Sequence, residues 1–284
     1  MALEPVAGQV YFSPEAHAAY AELGFNPSPG STRQGVALPD GPAYFASRGS
    51  LLGQVSGEVV AAAFAVFNPA AVVPAVQWAW TKVDAATICA ARTRGGVGQL
   101  ERVLGPTPDG LARATDLMAR TVEPLRPEGK PLFAGLRALG LPGDPVGDMW
   151  RLTDTLREYR GDAHTAAWTS AGLDATEVGL LTELYWRLPL RTYIRTRAWS
   201  DGDLDDAEGR LVARGLLVDG ALTTEGRAIR EQIEAATDAQ CQVIVDTLGS
   251  DFDDLLGILD PWGRALRNAS AYPAQGPHEL APIR

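Results

Sequence analysis

The stretch that decides the fold is Gly215-Leu216-Leu217-Val218-Asp219-Gly220-Ala221-Leu222-Thr223-Thr224-Glu225-Gly226-Arg227. A short apolar run is followed by Asp219-Gly220, a dipeptide typical of two-residue hairpin turns, and by a second short run. Thr223 or Thr224 can then cap a helix, which we predict over residues 225–238. The stretch therefore predicts a strand, a tight turn, a second strand and a helix.

Three helical segments precede this hairpin. Asp174-Ala175-Thr176-Glu177 has the form of a capping box and begins an apolar-periodic run that ends at Pro189. We predict a short second helix over residues 190–197, and a third helix that Ser200 caps. The inward-facing residues of the third helix recur at helical spacing: Leu204, Ala207, Leu211 and Val212. The order of elements over residues 173–240 resembles the winged helix-turn-helix module of MarR-type regulators.

The third helix begins with Ser200-Asp201-Gly202-Asp203-Leu204-Asp205-Asp206-Ala207-Glu208, which contains five carboxylates. In a DNA-binding module this helix enters the major groove, and affinity for phosphate comes mainly from Lys and Arg. The whole chain has a net charge of −10 and no arm rich in Lys or Arg. We therefore predict that DNA binding is disfavoured.

Composition indicates a globular protein, with 46% hydrophobic and 21% charged residues among 284. The N-terminus lacks a basic segment followed by an apolar one, and the longest apolar stretch, residues 59–67, is too short to span a bilayer. The sequence therefore predicts a cytoplasmic protein without a membrane partner.

Motifs for metals and cofactors are missing from the sequence. Cys89 and Cys241 are far apart, and neither belongs to a Cys/His cluster of metal-ligand spacing. The chain has no phosphate-binding glycine loop and no dinucleotide-binding fingerprint. The glycine-rich residues 95–98 have no flanking strand, so we predict a turn there. We expect neither a metal nor a cofactor.

The fold class that we predict is mainly α: a helical domain over residues 1–172, the winged module over 173–240, and a C-terminal helix with an irregular tail over 241–284. A proline-rich loop is expected at 24–43, and a helix broken at Pro261 near the C-terminus. The helices predicted outside the module are 13–23, 44–50, 55–67, 70–92, 96–104, 108–126, 131–139, 145–171 and 251–268.

A weak internal repeat is visible in the helical segments. Phe45-Ala46-Ser47-Arg48 resembles Phe133-Ala134-Gly135-Leu136-Arg137. One hypothesis is a duplicated helical unit with a pocket between the halves; the other is the ordinary likeness of alanine-rich helices. MarR-type modules commonly dimerise, but a duplication would supply the same symmetry within one chain. Monomer and homodimer both stay open, with the monomer favoured.

The candidate catalytic residues lie in the stretch Arg157-Glu158-Tyr159-Arg160-Gly161-Asp162-Ala163-His164, called here the 157–164 block. On a continuous helix, Arg160, His164 and Trp168 share one face. Histidine suits proton transfer near neutral pH, and a carboxylate or backbone oxygen can orient it. We predict a catalytic group of His164, Asp162 and Arg160 facing a cavity. The alternative is a buried polar network that pins helix ends together.

Aromatic residues cluster in the middle of the chain and could line a site for a small-molecule ligand. Ordinary core packing is the alternative. The ligand-binding residues that we predict are Tyr44, Arg48, Phe67, Asn68, Trp80, Trp150, Tyr159 and Trp168.

The 157–164 block, with Tyr44-Phe45-Ala46-Ser47-Arg48, Phe67-Asn68-Pro69 and residues 222–227, resembles an actinobacterial family labelled "helix-turn-helix, SalR-like". The resemblance covers roughly residues 10–268 and implies a winged-helix fold and an important 157–164 block, but no reaction. Two functions remain. The first is a small-molecule-binding protein or cofactor-independent acid/base enzyme on a repurposed winged helix. The alternative is a MarR-like, ligand-responsive DNA-binding regulator.

Overall fold

A computed structural model describes residues 2–275, which are mainly α-helical. Short 3-10 helices at Gln9–Phe12, Ser50–Leu52, Tyr193–Arg197 and Gly249–Asp251 connect several of the longer helices. The helices are α1 (Leu3–Gly8), α2 (Pro14–Glu22), α3 (Gly41–Gly49), α4 (Gly57–Phe64), α5 (Pro69–Ala79), α6 (Ala85–Leu104), α7 (Leu111–Val122), α8 (Pro131–Leu139), α9 (Pro145–Ser170), α10 (Ala175–Tyr185), α11 (Asp201–Ala213), α12 (Thr224–Leu248) and α13 (Phe252–Asn268), and the strands are β1 (Leu217–Val218) and β2 (Ala221–Leu222).

The helices α10 and α11 and the hairpin of the winged helix-turn-helix module form as the sequence predicts. The helix predicted over residues 190–197 is only a 3-10 helix, Tyr193–Arg197, since Arg191 and Ala198 have positive φ, 61° and 63°. Capping boxes begin α10 at Asp174 and α11 at Ser200. The strands β1 and β2 pair antiparallel around Asp219 and Gly220, which both have positive φ, 48° and 72°. Such values belong to the tight hairpin turn that an Asp-Gly dipeptide favours. The module has its own hydrophobic core, built from residues between 167 and 233.

The long helix α9 organises the rest of the chain. It packs against α1, α6, α7, α8 and α12. Its Met149 and Trp150 are fully buried in the largest hydrophobic core. Any side chain on the inner faces of α9 therefore meets several elements that are distant in sequence. The predicted domain boundaries at 172 and 240, and the duplication, stay predictions.

The helix α12 joins the two cores. We predicted its end at residue 238, but it continues to Leu248 and ends at Gly249, which has a φ of 52°. Neither glycine nor proline interrupts the chain between Arg227 and Leu248, so the helix has no reason to stop earlier. Its first half packs on the winged module, while Ile244 and Leu248 pack into the helical core. The helix α12 therefore packs against both the winged module and the helical core.

Glycines in α6 serve close packing, so the turn predicted at residues 95–98 is wrong. A Cβ atom on Gly95 would lie 2.3 Å from the Cα atom of Ala16, and one on Gly96 would lie 2.9 Å from the Trp150 ring. These glycines let α2 and α9 approach α6. The predicted 70–92 helix instead ends at Ala79, because Asp84 caps a new helix by accepting from the Thr87 backbone at 2.7 Å.

The C-terminal prediction was wrong at two places. The helix α13 passes through Pro261 without a break. The carbonyl that Pro261 leaves without a donor belongs to Gly257, which is exposed and can therefore bond water. Beyond α13, Ala271 and Tyr272 are buried rather than loosely placed. Pro277, His278 and Pro282 lie outside the described residues. Among residues 2–275, no helix is long and apolar enough to cross a membrane.

Candidate functional site

A buried carboxylate fixes the turn between the first two helices of the module. Glu183 in α10 is fully buried. Its Oε2 atom accepts from the Arg191 backbone N–H at 2.7 Å, and its Oε1 atom accepts from the Ile194 backbone N–H at 2.7 Å. Burial raises the pKa of Glu183, although these backbone bonds oppose the shift. The Glu183 side chain thus fixes the backbone at Arg191 and Ile194, in the segment that leads to α11.

The carboxylates of α11 are paired with arginines from that segment. Asp205 and Glu208 both bind the Arg191 guanidinium, with the Asp205 contact at 2.6 Å. Asp201 binds Arg195. Asp203 accepts from the Ser200 backbone N–H at 2.9 Å, which closes the capping box. Two arginines thus offset two of the five negative charges of the acid run, and the Ser200 cap holds a further carboxylate.

The net charge of the helix-turn-helix segment is slightly negative. Residues 174–214, from the N-cap of α10 to the C-cap of α11, contain six arginines and eight carboxylates, so the net charge is −2. Arg187 is exposed, and within residues 2–275 it forms no ion pair. Arg210 and Arg214 are partly exposed and border a surface groove with Asp174 and Glu177. Arg187 is therefore an exposed cation without an ion pair in the described part of the chain, whereas Arg210 and Arg214 are paired with Asp174 and Glu177.

One residue of α11 faces the opposite way from our prediction. Val212 was assigned inward, but it is 55% exposed, while Leu211 is fully buried. Adjacent residues of a helix lie about 100° apart, so Leu204, Ala207 and Leu211 complete the inner stripe without Val212. Val218 in the wing is also exposed, at 53%.

The first half of the 157–164 block ties α9 to α1 and α3. Arg157 Nε lies 3.0 Å from Glu4 Oε2 in α1. Glu158 is buried and binds Arg48 Nη2 in α3 at 2.8 Å. Burial would raise the pKa of Glu158, but the charges of Arg48 and Arg157 outweigh it and lower that pKa to about 2.

The predicted catalytic group lies in the second half of the block, on separate partners. Arg160 binds Glu234 of α12 at 3.0 Å. Asp162 Oδ2 accepts from the backbone N–H of Phe133 at 3.0 Å, in the first turn of α8. Burial raises the pKa of Asp162 to about 6. The carboxylate therefore caps a helix from outside, and it orients α8 rather than His164.

His164 pairs with a hydroxyl instead of the carboxylate or backbone oxygen that we predicted. Its Nδ1 atom lies 3.0 Å from Thr237 Oγ1 in α12. The Thr237 hydroxyl donates to the Ile233 carbonyl at 2.7 Å, so its oxygen accepts from His164 Nδ1–H. Burial, together with the charges of Arg230 and Arg160, lowers the pKa of His164 to about 4. The catalytic role of His164, Asp162 and Arg160 stays a prediction.

The predicted ligand-binding residues are spread over several places. Tyr44 and Phe67 contact each other in an aromatic cluster, with ring centroids 5.6 Å apart. Arg48, over the Phe64 ring, and Trp80, on the Val55 carbonyl, lie beside the same cluster. The other four lie elsewhere: Asn68 beside Ala198, Trp150 in the main core, Tyr159 on the Gln240 carbonyl, and Trp168 in the module core. A shared ligand site for the eight stays a prediction.

Sequence reasoning missed Glu183 and the arginine partners of α11. A signal for Glu183 was present, because a charged residue inside the apolar run of α10 needs a buried partner. Arg191 and Arg195 carried a signal too, because their i, i+4 spacing puts two cations on one side of a short segment that precedes five acids.

Comparison with known families supplies the classification. The profile of the helix-turn-helix family matches residues 1–273. The chain belongs to the helix-turn-helix family. No curated protein and no solved structure matches it. Membership points to DNA binding, so our expectation that DNA binding is disfavoured is wrong. That expectation counted the acids of α11 in this helix-turn-helix protein without the arginines that bind them.

Acidification should act on His164 and Asp162 in opposite directions. His164 has a folded-state pKa of about 4, below its ordinary value of 6.5, so its neutral ring stabilises the fold above pH 6.5, and that contribution is lost as pH falls toward 4. Asp162, with a raised pKa of about 6, adds stability as pH falls below 6.

Replacing His164 by Gln should therefore make the protein less sensitive to acid. Between pH 7 and pH 5, we expect wild type to lose about 2 kcal/mol more unfolding free energy than His164→Gln. Asp162→Asn should show the opposite difference and lose stability more steeply than wild type. Urea titrations at both pH values measure these differences, and parallel pH profiles for the three proteins would contradict the assigned shifts.

Proposed function

We propose that this protein is a winged-helix, DNA-binding transcription regulator of the MarR-like, ligand-responsive type, in the SalR-like branch of its family. The helix α11 is the recognition helix, and β1, the Asp219-Gly220 turn and β2 form the wing. Support comes from family membership and from the order of elements in the module. A fold alone does not fix a function, so the proposal depends on the charges around α11.

The observation that carries the proposal is the pairing of α11 carboxylates with Arg191 and Arg195. Pairing offsets part of the repulsion that five bare acids would exert on phosphate. Arg187, which is exposed and forms no ion pair within residues 2–275, can contact the DNA backbone. Exposed carboxylates on a recognition helix can accept from cytosine amino groups in the major groove. The acids of α11 thus contribute specificity, while the arginines contribute affinity.

Selection from a pool of random-sequence duplexes tests this function. The full-length protein is incubated with the pool, bound DNA is recovered, and recovered DNA is sequenced over successive rounds. We expect one motif to be enriched. A homodimer would enrich an inverted repeat with half-sites about one helical turn apart, and a monomer would enrich a single site. Absence of any enriched motif would contradict the proposal.

Removing one unpaired cation of the module should weaken binding to the enriched duplex. We expect Arg187→Ala to raise the Kd by about tenfold, because one phosphate contact is lost. The slope of log K against log salt should become less steep by about 0.9, the contribution of one phosphate contact. The matched control is Arg264→Ala, which removes an equally exposed arginine from α13, far along the chain from the module. Equal losses for the two variants would show that general charge, and not the module, binds the DNA.

A further inference from the structure

The segment between α4 and α5 is hydrogen-bonded to the three residues that precede the recognition helix. The Asn68 backbone N–H donates to the Arg197 carbonyl at 2.9 Å, and Asn68 Nδ2 donates to the Ala198 carbonyl at 3.1 Å. Trp199 Nε1 donates to the Val66 carbonyl at 2.9 Å. Residues 65–68 of the helical domain therefore hold the chain immediately before Ser200, which caps α11.

The same contact keeps the cationic side chain of Arg197 away from the surface of the module. The Arg197 guanidinium lies 4.7 Å from the centre of the Phe67 ring and 4.7 Å from that of the Tyr193 ring. An arginine stacked between two rings is held by cation–π attraction. As long as the contact persists, Arg197 is directed to the helical domain instead of to a phosphate.

Both sides of the contact have strained backbone. Ala65 has φ 55° and ψ −56°, and Ala198 has φ 63° and ψ 25°. Residues with a Cβ atom rarely adopt positive φ, and the surrounding contacts must compensate the cost. The contacts across the segment therefore hold Ala65 and Ala198 in backbone conformations that alanine seldom adopts.

Contacts between rings lead from the segment into the helical domain. Phe67 packs on Tyr44, and Tyr44 packs on Tyr11 with centroids 5.0 Å apart. Tyr11 and Tyr44 line a small, partly open pocket together with His17, whose Nδ1 atom is buried and has no hydrogen-bond partner among residues 2–275. A change at this cavity can therefore reach the start of α11 through packed side chains.

We propose that residues 65–68 form an inhibitory latch, which holds the approach to α11 and lowers the affinity of the module for DNA. The inference rests on the proposed function and adds its regulation. The latch opposes DNA binding because it withholds Arg197 and fixes the position of the N-terminal end of α11. When the helical domain changes around Tyr44 and Phe67, the latch opens, and the recognition helix becomes free to dock.

Asn68→Asp tests the latch without disturbing the helix that Asn68 caps. Asn68 Oδ1 accepts from the Ala70 backbone N–H at 2.9 Å, and an aspartate caps equally well. The variant loses the Nδ2 donor and places a carboxylate against the Ala198 carbonyl. We expect its affinity for the enriched duplex to rise about fivefold or more, within the usual range of coupling between sites. Its added negative charge alone would lower the affinity.

The control is Asn268→Asp, the same exchange at the end of α13, where Asn268 is exposed and far from α11 in sequence. Its affinity for the duplex should stay within about twofold of wild type, because the change lies outside the coupled contact. Ala65→Gly, which relieves strain in the closed state, should lower the affinity. Opposite effects of Asn68→Asp and Ala65→Gly are the signature of a latch.

The outcomes separate the latch from the proposed function. Wild-type protein that binds the enriched duplex no less tightly than Asn68→Asp refutes the latch alone. Wild-type protein that binds no duplex refutes the proposed function, and the latch with it. Amide hydrogen exchange of residues 197–204 provides a second readout, since Asn68→Asp should speed exchange there. Unchanged exchange would show that the contact does not restrain α11.

Discussion

Asp154→Ala should lower the free energy of unfolding by about 3–5 kcal/mol. Asp154 Oδ2 lies 2.9 Å from Arg92 Nη1, and the two side chains are 0% and 1% exposed. Arg92 also lies against the rings of Tyr11 and Trp150. An arginine cannot lose its proton at accessible pH, so the substitution leaves an unpaired charge between α6 and α9. Urea unfolding followed by circular dichroism measures the loss.

Asp116→Ala is the matched control for this loss. Asp116 faces Arg113 at 4.0 Å and is 72% exposed, so its removal should cost less than about 1 kcal/mol. A double variant, Arg92→Met with Asp154→Leu, should recover much of the stability, because an apolar pair replaces both buried charges. If Asp154→Ala costs no more than Asp116→Ala, Arg92 is not confined as the structure shows.

Glu183→Ala should both destabilise the module and abolish binding to the enriched duplex. Two backbone N–H groups, of half-buried Arg191 and buried Ile194, would lose their acceptor. Each unsatisfied group costs about 1–3 kcal/mol, so we expect a total of about 2–4 kcal/mol. The arginines that neutralise α11 would then lose their fixed position, which is why binding should fail together with stability.

Two further variants separate the role of Glu183 from the loss of a charge. Glu183→Gln keeps one acceptor oxygen and should cost about half as much, on the same scale. Glu231→Ala removes an exposed carboxylate from α12 and should change neither stability nor affinity appreciably. If Glu183→Ala binds the duplex as tightly as wild type, Glu183 does not position the arginines that pair with α11.

The winged module could be predicted from the sequence because its signals are local. Capping boxes at Asp174 and Ser200, and the turn at Asp219-Gly220, depend on residues within four positions of each other. The ends of α12 and α6 could not be placed as well. The helix α12 was predicted too short although neither glycine nor proline lies between Arg227 and Gly249. The course of α6 depends on packing against α2, because a glycine such as Gly95 indicates a turn until its neighbour Ala16 is known.

The site was predicted less well, for the same physical reason. The 157–164 block was recognised as unusual, but its partners come from α1, α3, α8 and α12. Spacing along α9 shows which side chains share a face and not which element each of them meets. The charge of α11 was misjudged because composition counts Asp205 and Glu208 without showing that Arg191 lies between them.

The most direct test of DNA binding by this winged helix is the salt dependence of its affinity. Fluorescence anisotropy of the labelled enriched duplex, titrated at salt concentrations from roughly 50 to 200 mM, gives the slope of log K against log salt. Each phosphate contact contributes about −0.9 to that slope. We expect a slope of about −2 or steeper for wild type and a shallower one for Arg187→Ala. A slope near zero, or no binding at the lowest salt, would contradict the account.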